Sequence, residues 1–134
     1  GARVHGCTGA IAHCEGEVTM EPYTGIAVFE LSHWDAQTGK KTTYFREDFY
    51  IVYASSEEEA KKRVEAMALD QVFTRDEEPT SDMAVALRHI IDVAPALDGY
   101  VDRDCNLYSR HFASLEDYAR FEMMLGGTDP FDEH

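Results

Sequence analysis

The stretch Tyr44–Asp70, YFREDFYIVYASSEEEAKKRVEAMALD, decides the fold because a strand, a corner and a helix follow one another in it. The part up to Ala54 is rich in aromatic and β-branched side chains, which predicts a β-strand. Ser56 is a favourable N-cap and Glu59 follows it at capping-box spacing, so a helix is predicted to begin there. We expect this helix to run to about Val72.

The predicted helix has one apolar side and one charged side. Its apolar residues recur at helical spacing, which predicts that this side packs on a sheet. They are Ala60, Val64, Met67 and Ala68. Its acid–base pairs at i,i+4 spacing contribute only about 0.2–0.5 kcal/mol each, so they form an exposed face and do not hold the fold.

Alternating apolar and polar residues predict further strands on both sides of this stretch. The four predicted strands are residues 26–34, 44–54, 83–93 and 106–113. Ser114 is a predicted N-cap for a last helix, whose expected buried residues are Leu115, Tyr118, Phe121, Met124 and Leu125. The order β-β-α-β-β-α predicts an α+β fold: an antiparallel sheet with two helices packed on one face.

The composition predicts one domain with two flanking segments. Residues 1–22 are glycine-rich and weakly patterned, and we interpret them as an irregular N-terminal arm. Residues 23–127 are predicted to form the single α+β domain, and residues 128–134 an acidic C-terminal tail. A chain of 134 residues with 44% apolar content is long enough for one core.

The charge of the chain limits its partners. It has 26 acidic and 12 basic residues, which give a net charge of −14. This charge opposes direct binding to nucleic acids and to anionic membranes, which attract Lys and Arg. It favours a basic protein partner that is captured quickly by electrostatic attraction. An organism with an acidic proteome would produce the same charge without such a partner.

The cysteine content and the hydropathy predict a cytoplasmic protein. Cys7, Cys14 and Cys105 are an odd number of cysteines and do not form a disulfide framework, which favours a reducing compartment. No apolar run approaches the roughly 18 residues needed to cross a bilayer. The sequence begins at Gly1 without an apolar segment that would mark it for export.

Three stretches of the sequence together carry a family resemblance. They are Ile26–Trp34 before a hairpin, Phe49–Ala60, and Ile90–Val93 leading to Asp98-Gly99 and Leu107–Phe112. They resemble a family of small bacterial proteins, the domain of unknown function 4288, over roughly residues 25–125. The resemblance implies a compact bacterial α/β domain. It implies no catalytic residues, because we know of no activity assigned to the family.

Two groups of residues contain side chains of the kinds that bind metal ions. Two imidazoles and two thiols in the N-terminal arm are the number of ligands that zinc requires, but their spacing does not match the usual Cys-x₂₋₄-Cys pairing. They are His5, Cys7, His13 and Cys14. Residues 102–106 begin like a calcium loop, but Leu107 and Ala113 stand where Gly and Glu are required. We therefore predict no metal and no cofactor.

The sequence lacks the common catalytic motifs, which makes an enzyme less expected but does not exclude one. There is no nucleophile elbow, P-loop, dinucleotide-binding glycine motif or HExxH. The alternative hypothesis is a small enzyme or ligand-binding domain with a pocket on the sheet, formed by His89, Tyr108, Arg110 and His111. The simpler interpretation makes His89 a buried, hydrogen-bonded residue and the others ordinary sheet surface.

The charge and the lack of motifs together predict a binding protein. We expect an immunity-type or inhibitor protein that binds and masks a basic toxin or effector, with aromatic anchors among its acids. The candidate contact residues are Trp34, Glu47, Asp48, Tyr50, Asp76, Glu77 and Glu78. An acidic mimic of nucleic acid, and a homodimer formed through a free sheet edge, are further alternatives.

Overall fold

The centre of the fold is a long strand with a partner on each side. The computed structural model describes residues 2–4, 18–76 and 81–130. Strand β1 (Ala2–Val4) pairs with the beginning of β2 (Val18–Trp34). Strands β3 (Lys41–Ala54) and β4 (Met83–Pro95) pair antiparallel with β2 along its two edges. Helix α1 (Glu57–Leu69) connects β3 to β4, and α2 (Leu115–Phe121) and a 3₁₀ turn (Met123–Leu125) follow β4.

The corner between β3 and α1 forms as the sequence predicts. The Ser56 side chain accepts a hydrogen bond from the Glu59 backbone N–H at 3.1 Å, which caps the helix. The Glu59 carboxylate in turn accepts hydrogen bonds from the backbone and side chain of Ser55, and these bonds lower the pKa of Glu59. Helix α1 ends at Leu69, slightly before the predicted end near Val72.

The core lies between α1 and one face of the sheet, which we call the α1 face. Ala60, Val64 and Ala68 of the predicted stripe are fully buried, whereas Met67 is exposed. Val64 packs so closely on β2 that a side chain at Gly25 would come within 2.4 Å of it. Glycine is therefore required there by close approach.

Strand β4 does not alternate strictly, because two β-bulges interrupt its pairing with β2. Arg88 and Ile91 are extra residues that have no partner in the register of β2. The bulges place Ile90 in the core and leave Ile91 exposed. His89 is also exposed, so the interpretation of His89 as a buried residue on an apolar face is wrong.

The predicted fourth strand is wrong, although the α+β class and the antiparallel sheet are confirmed. Residues 106–113 form no ladder with any strand in the described part of the chain. They run extended across the face of the sheet opposite α1, where the Thr24 hydroxyl donates to the Leu107 carbonyl at 3.1 Å. The element order is β-β-β-α-β-α, with three long strands and the short β1.

The prediction that both helices pack on one face is also wrong. Helix α2 contacts Phe112 through Tyr118 and Phe121, with ring centroids 5.1 and 6.1 Å apart, and has no buried residue. Leu115 and Met124, predicted to be buried, are 77% and 88% exposed. The spacing of the apolar residues correctly indicates which of them share one side of a helix. It does not indicate whether the fold offers a surface on which that side can be buried.

The predicted N-terminal arm meets the described structure at both of its ends. Residues 2–4 form β1, and residues 18–22 belong to β2. The division of the chain into arm, domain and tail stays a prediction. None of the helices in the described ranges has the length and hydrophobicity that a membrane crossing requires.

Candidate functional site

Two polar contacts fasten the extended segment to the sheet on the face opposite α1, which we call the opposite face. The Tyr108 hydroxyl donates to the Asp92 carboxylate of β4 at 2.8 Å. The Arg110 guanidinium donates to the Glu47 carboxylate of β3 at 3.1 Å. Since β3 and β4 lie on the two sides of β2, the segment is held across the whole width of the sheet.

The surroundings of each contact explain its chemistry. The hydrogen bond to Asp92, followed by burial, raises the pKa of Tyr108 above its ordinary value of 10.0, so this hydroxyl stays protonated and acts as a donor. The side chains of Arg110 and Glu47 are 29% and 26% exposed, and this partial burial screens the pair less than full exposure would. The Arg110 guanidinium also lies 5.4 Å from the centre of the Phe121 ring, which links the pair to α2.

The predicted pocket is only partly brought together. Tyr108 and Arg110 lie on the opposite face, but their polar atoms are engaged by sheet carboxylates. His89 pairs with Val28, whose neighbour on β3 is Glu47, so it lies on the same face, and it is exposed. His111 is exposed beside Phe112 in sequence. Tyr108 and Arg110 therefore anchor a segment of the chain.

Adjacent carboxylates of the predicted partner surface lie on different faces. Glu47 is on the opposite face, whereas Asp48 is on the α1 face and binds Arg46 through hydrogen bonds of 2.9 and 3.1 Å. Arg46 in turn covers the buried Phe29 ring, with its guanidinium carbon 5.0 Å from the ring centre. Tyr50 is also on the α1 face, and burial, with the charge of Asp48, raises its pKa. Asp48 and Tyr50 thus border the core and not the opposite face.

Trp34 forms a separate feature at the end of the sheet. The guanidinium of Arg75 lies 4.6 Å from a Trp34 ring centre and the ammonium of Lys41 lies 5.6 Å from it. Trp34, Arg75 and Asp82 line a cleft of about 330 Å³. Asp76 is exposed beside Arg75 in sequence. The other two predicted acids of this loop, Glu77 and Glu78, lie outside the described residues.

The four weak candidates for metal ligands lie in a part of the chain that the structure does not describe. His5, Cys7, His13 and Cys14 lie in residues 5–17, outside the described ranges. Over the residues that are described, no group of three or more His, Cys, Asp or Glu side chains is arranged to hold a metal ion.

Exposed phenyl rings surround the Glu47–Arg110 pair. Phe45 and Phe49 precede and follow Glu47 by two residues on β3, so all three side chains lie on one face. The two rings are 59% and 58% exposed, and Phe121, which contacts Arg110, is 53% exposed. We call this set the aromatic surface: Phe45, Glu47, Phe49, Arg110 and Phe121. It contains no nucleophile with a base beside it, and its phenyl rings and arginine are residue types that are enriched in surfaces for protein partners.

Sequence reasoning found part of this surface and missed the rest. It selected Glu47 and Arg110 separately, for different hypotheses, it counted Phe49 among the aromatic anchors, and it missed Asp92 and Phe45. Strand alternation around Glu47 was an available signal for the two phenylalanines, because they share its face whichever way the strand turns. No local signal pairs Arg110 with Glu47, since 63 residues separate them.

One comparison with known proteins identifies a related family. The model of the family described as domain of unknown function (DUF4288) matches residues 23–109. The match covers most of the sheet with α1 and confirms the resemblance found in the sequence, while α2 lies beyond it. No curated protein and no solved structure matches the chain.

Proposed function

The chain belongs to the DUF4288 family, and we propose that it is a non-catalytic binding protein that takes a basic protein as its partner. The observation that carries this proposal is the position of Glu47 between the exposed rings of Phe45 and Phe49. Exposed apolar groups that form a continuous patch mark interaction sites more often than isolated ones do. Phe45 and Phe49 lie on β3, which is an edge strand because it pairs only with β2 among the described strands.

The rings and the charge have different roles in this proposal. The net charge of −14 attracts a basic partner and raises its association rate, an effect that falls as salt screens the charges. The phenyl rings supply the apolar area that is removed from water on binding, at about 25 cal/mol per Å². The charge thus determines which partner is captured and its association rate. The rings determine the lifetime of the complex.

The finer form of the proposal is an immunity or inhibitor role in the bacterial cytoplasm. The partner is then a basic toxin or effector whose cationic site is masked by the acidic protein. Support comes from the charge, from the small size and from the satisfied polar contacts of Tyr108 and Arg110, which leave these two groups engaged in structure. The same contacts disfavour the alternative in which Tyr108, Arg110 and the histidines form a catalytic or ligand-binding pocket.

The experiment that tests the proposal uses two matched variants. The first carries Phe45→Ala and Phe49→Ala on the aromatic surface. The second carries Met67→Ala and Leu69→Ala, which remove two exposed apolar side chains from α1 on the other side of the sheet. Each protein is immobilised and exposed to host lysate at low salt, and retained proteins are identified by mass spectrometry and purified for calorimetry.

We expect the wild type and the α1 variant to retain the same basic protein, and the variant of the aromatic surface to bind it at least tenfold more weakly. The dissociation constant of the wild type should rise with salt concentration. Recovery of no basic protein at low salt would contradict the proposal. So would equal affinity of both variants for the recovered protein, because the aromatic surface would then have no role.

A further inference from the structure

A second feature suited to a partner lies at the outer edge of β4, away from the aromatic surface. There α1 and β4 border a groove of about 370 Å³. Glu57, Lys61 and Glu65 line it on the helix, where their spacing of four residues places them in one row. Residues 90–93 line it on the strand.

The backbone at this edge is open over most of its length. Phe73 pairs with Val85 through two hydrogen bonds of 2.9 and 3.1 Å and covers the beginning of the edge. Beyond this bridge, no strand in the described part of the chain pairs with the outer side of β4. An open edge presents N–H and C=O groups to which an extended peptide can add as a further strand.

The side chains of the groove define the chemistry of what it takes. Its apolar part is formed by Ile90, Ile91 and Val93, and the bulge leaves Ile91 47% exposed. Its charged part has two carboxylates, those of Glu57 and Glu65, and one ammonium, that of Lys61, whereas the Asp92 carboxylate accepts from Tyr108 on the opposite face. Lys61 is already 3.4 Å from Glu57, so the lining keeps an excess of negative charge.

We propose that this groove binds an extended basic segment of a partner protein by adding it as a strand to the edge of β4. Side chains of an extended segment alternate in direction, so Lys or Arg at every second position faces α1 and reaches Glu57 and Glu65, while the aliphatic residues between them point to the opposite face. At about 3.3 Å per residue, the lining of β4 accommodates roughly four residues of the segment. A second copy of this chain is a poor occupant, because its own net charge of −14 would be repelled by an acidic groove.

The test uses fluorescence anisotropy with the labelled peptide KVKVKVK. Two control peptides are the acidic EVEVEVE and a KVKVKVK peptide methylated at every backbone nitrogen, which keeps the charge but cannot donate hydrogen bonds. We expect the unmodified basic peptide to bind at least tenfold more tightly than either control. Equal binding of the methylated peptide would overturn the proposal, because attraction of charge alone would then account for the affinity.

Matched variants locate the binding. Glu65→Lys changes the groove, whereas Glu58→Lys makes the same charge change at an exposed α1 position outside the lining. Glu65→Lys should weaken peptide binding at least tenfold, and Glu58→Lys less than threefold. Equal weakening would overturn the proposal, as would sedimentation showing a wild-type dimer that Ile91→Lys converts to a monomer, since a second copy would then occupy the edge.

The groove proposal does not depend on the proposed function of the aromatic surface. The Phe45→Ala, Phe49→Ala variant leaves every residue of the groove in place and should bind the peptide as tightly as the wild type does. If this variant loses its protein partner but keeps the peptide, the two surfaces act separately. If it loses the peptide as well, the groove is not the peptide site and the proposal is overturned.

Discussion

The two faces of this sheet differ in what covers them. On the α1 face, Ala60, Val64 and Ala68 are fully buried against the strands. On the opposite face, an extended segment is held by Tyr108 and Arg110, and α2 beyond it has no buried residue. The α1 face therefore holds a closely packed core, whereas the opposite face buries Ile26 and Thr24 of β2 but leaves the aromatic residues of β3 available for a partner.

The first prediction concerns the closest contact on the α1 face. Gly25→Ala places a Cβ 2.4 Å from a methyl group of Val64, so the helix must move away from the sheet. We expect a loss of about 1–3 kcal/mol in the free energy of unfolding, measured by urea denaturation. Gly99→Ala is the matched control, because nothing lies within 4 Å of its Cβ. Equal stability of the two variants would show that α1 is not packed tightly on β2.

The second prediction concerns the ion pair of the opposite face. Arg110→Met leaves the carboxylate of Glu47 partly buried without its partner, and we expect a loss of about 1 kcal/mol. The matched control is Arg120→Met, whose pair with Glu116 is mostly exposed and should contribute less than about 0.5 kcal/mol. A double-mutant cycle with Glu47→Gln measures the coupling, and a coupling of zero would mean that this pair does not hold the segment.

The third prediction uses the hydroxyl of Tyr108. Tyr108→Phe removes its hydrogen bond to Asp92 and should cost about 0.5–1.5 kcal/mol at neutral pH. The pKa of Tyr108 is raised in the folded state, so its contribution is fully present below the unfolded value of about 10 and is lost as pH rises through the folded pKa. The difference between wild type and variant in urea denaturation should therefore be constant up to about pH 9 and shrink above pH 10. A difference that grows with alkaline pH would contradict this assignment.

The smallest effect is expected at Tyr50, on the α1 face. Its hydroxyl is buried and has no hydrogen-bond partner among the described residues. Tyr50→Phe removes a polar group that is out of contact with water, so the free energy of unfolding should change by less than about 0.5 kcal/mol or rise. A loss greater than 1 kcal/mol in thermal or urea unfolding would reveal a hydrogen bond that this account lacks.

Local signals in the sequence were sufficient for the α1 face. The aromatic and β-branched residues of β3 and the cap at Ser56 predicted the strand, the corner and the helix, because each depends on residues a few positions apart. The bulges of β4 were not predictable in this way. They arise from pairing with β2, and they move Ile90 into the core and His89 out of it.

The opposite face was predicted less well for a related reason. The pattern around Leu107–Phe112 is the same for a strand and for an extended segment without a strand partner, so the predicted fourth strand could not be distinguished from the segment observed. The contacts of Arg110 with Glu47 and of Tyr108 with Asp92 join distant positions, and only the folded chain brings them together. Sequence alone therefore identified some residues of the candidate site singly, and the fold added the others and showed which of them are neighbours.

The central claim is that the partner binds the opposite face and leaves the α1 face unchanged. Hydrogen exchange of the protein with and without its captured basic partner, followed by mass spectrometry, tests it most directly. We expect slower exchange on binding in β3 around residues 45–49 and in residues 110–121, with no change in α1. Slower exchange confined to α1, or spread evenly over the chain, would contradict it.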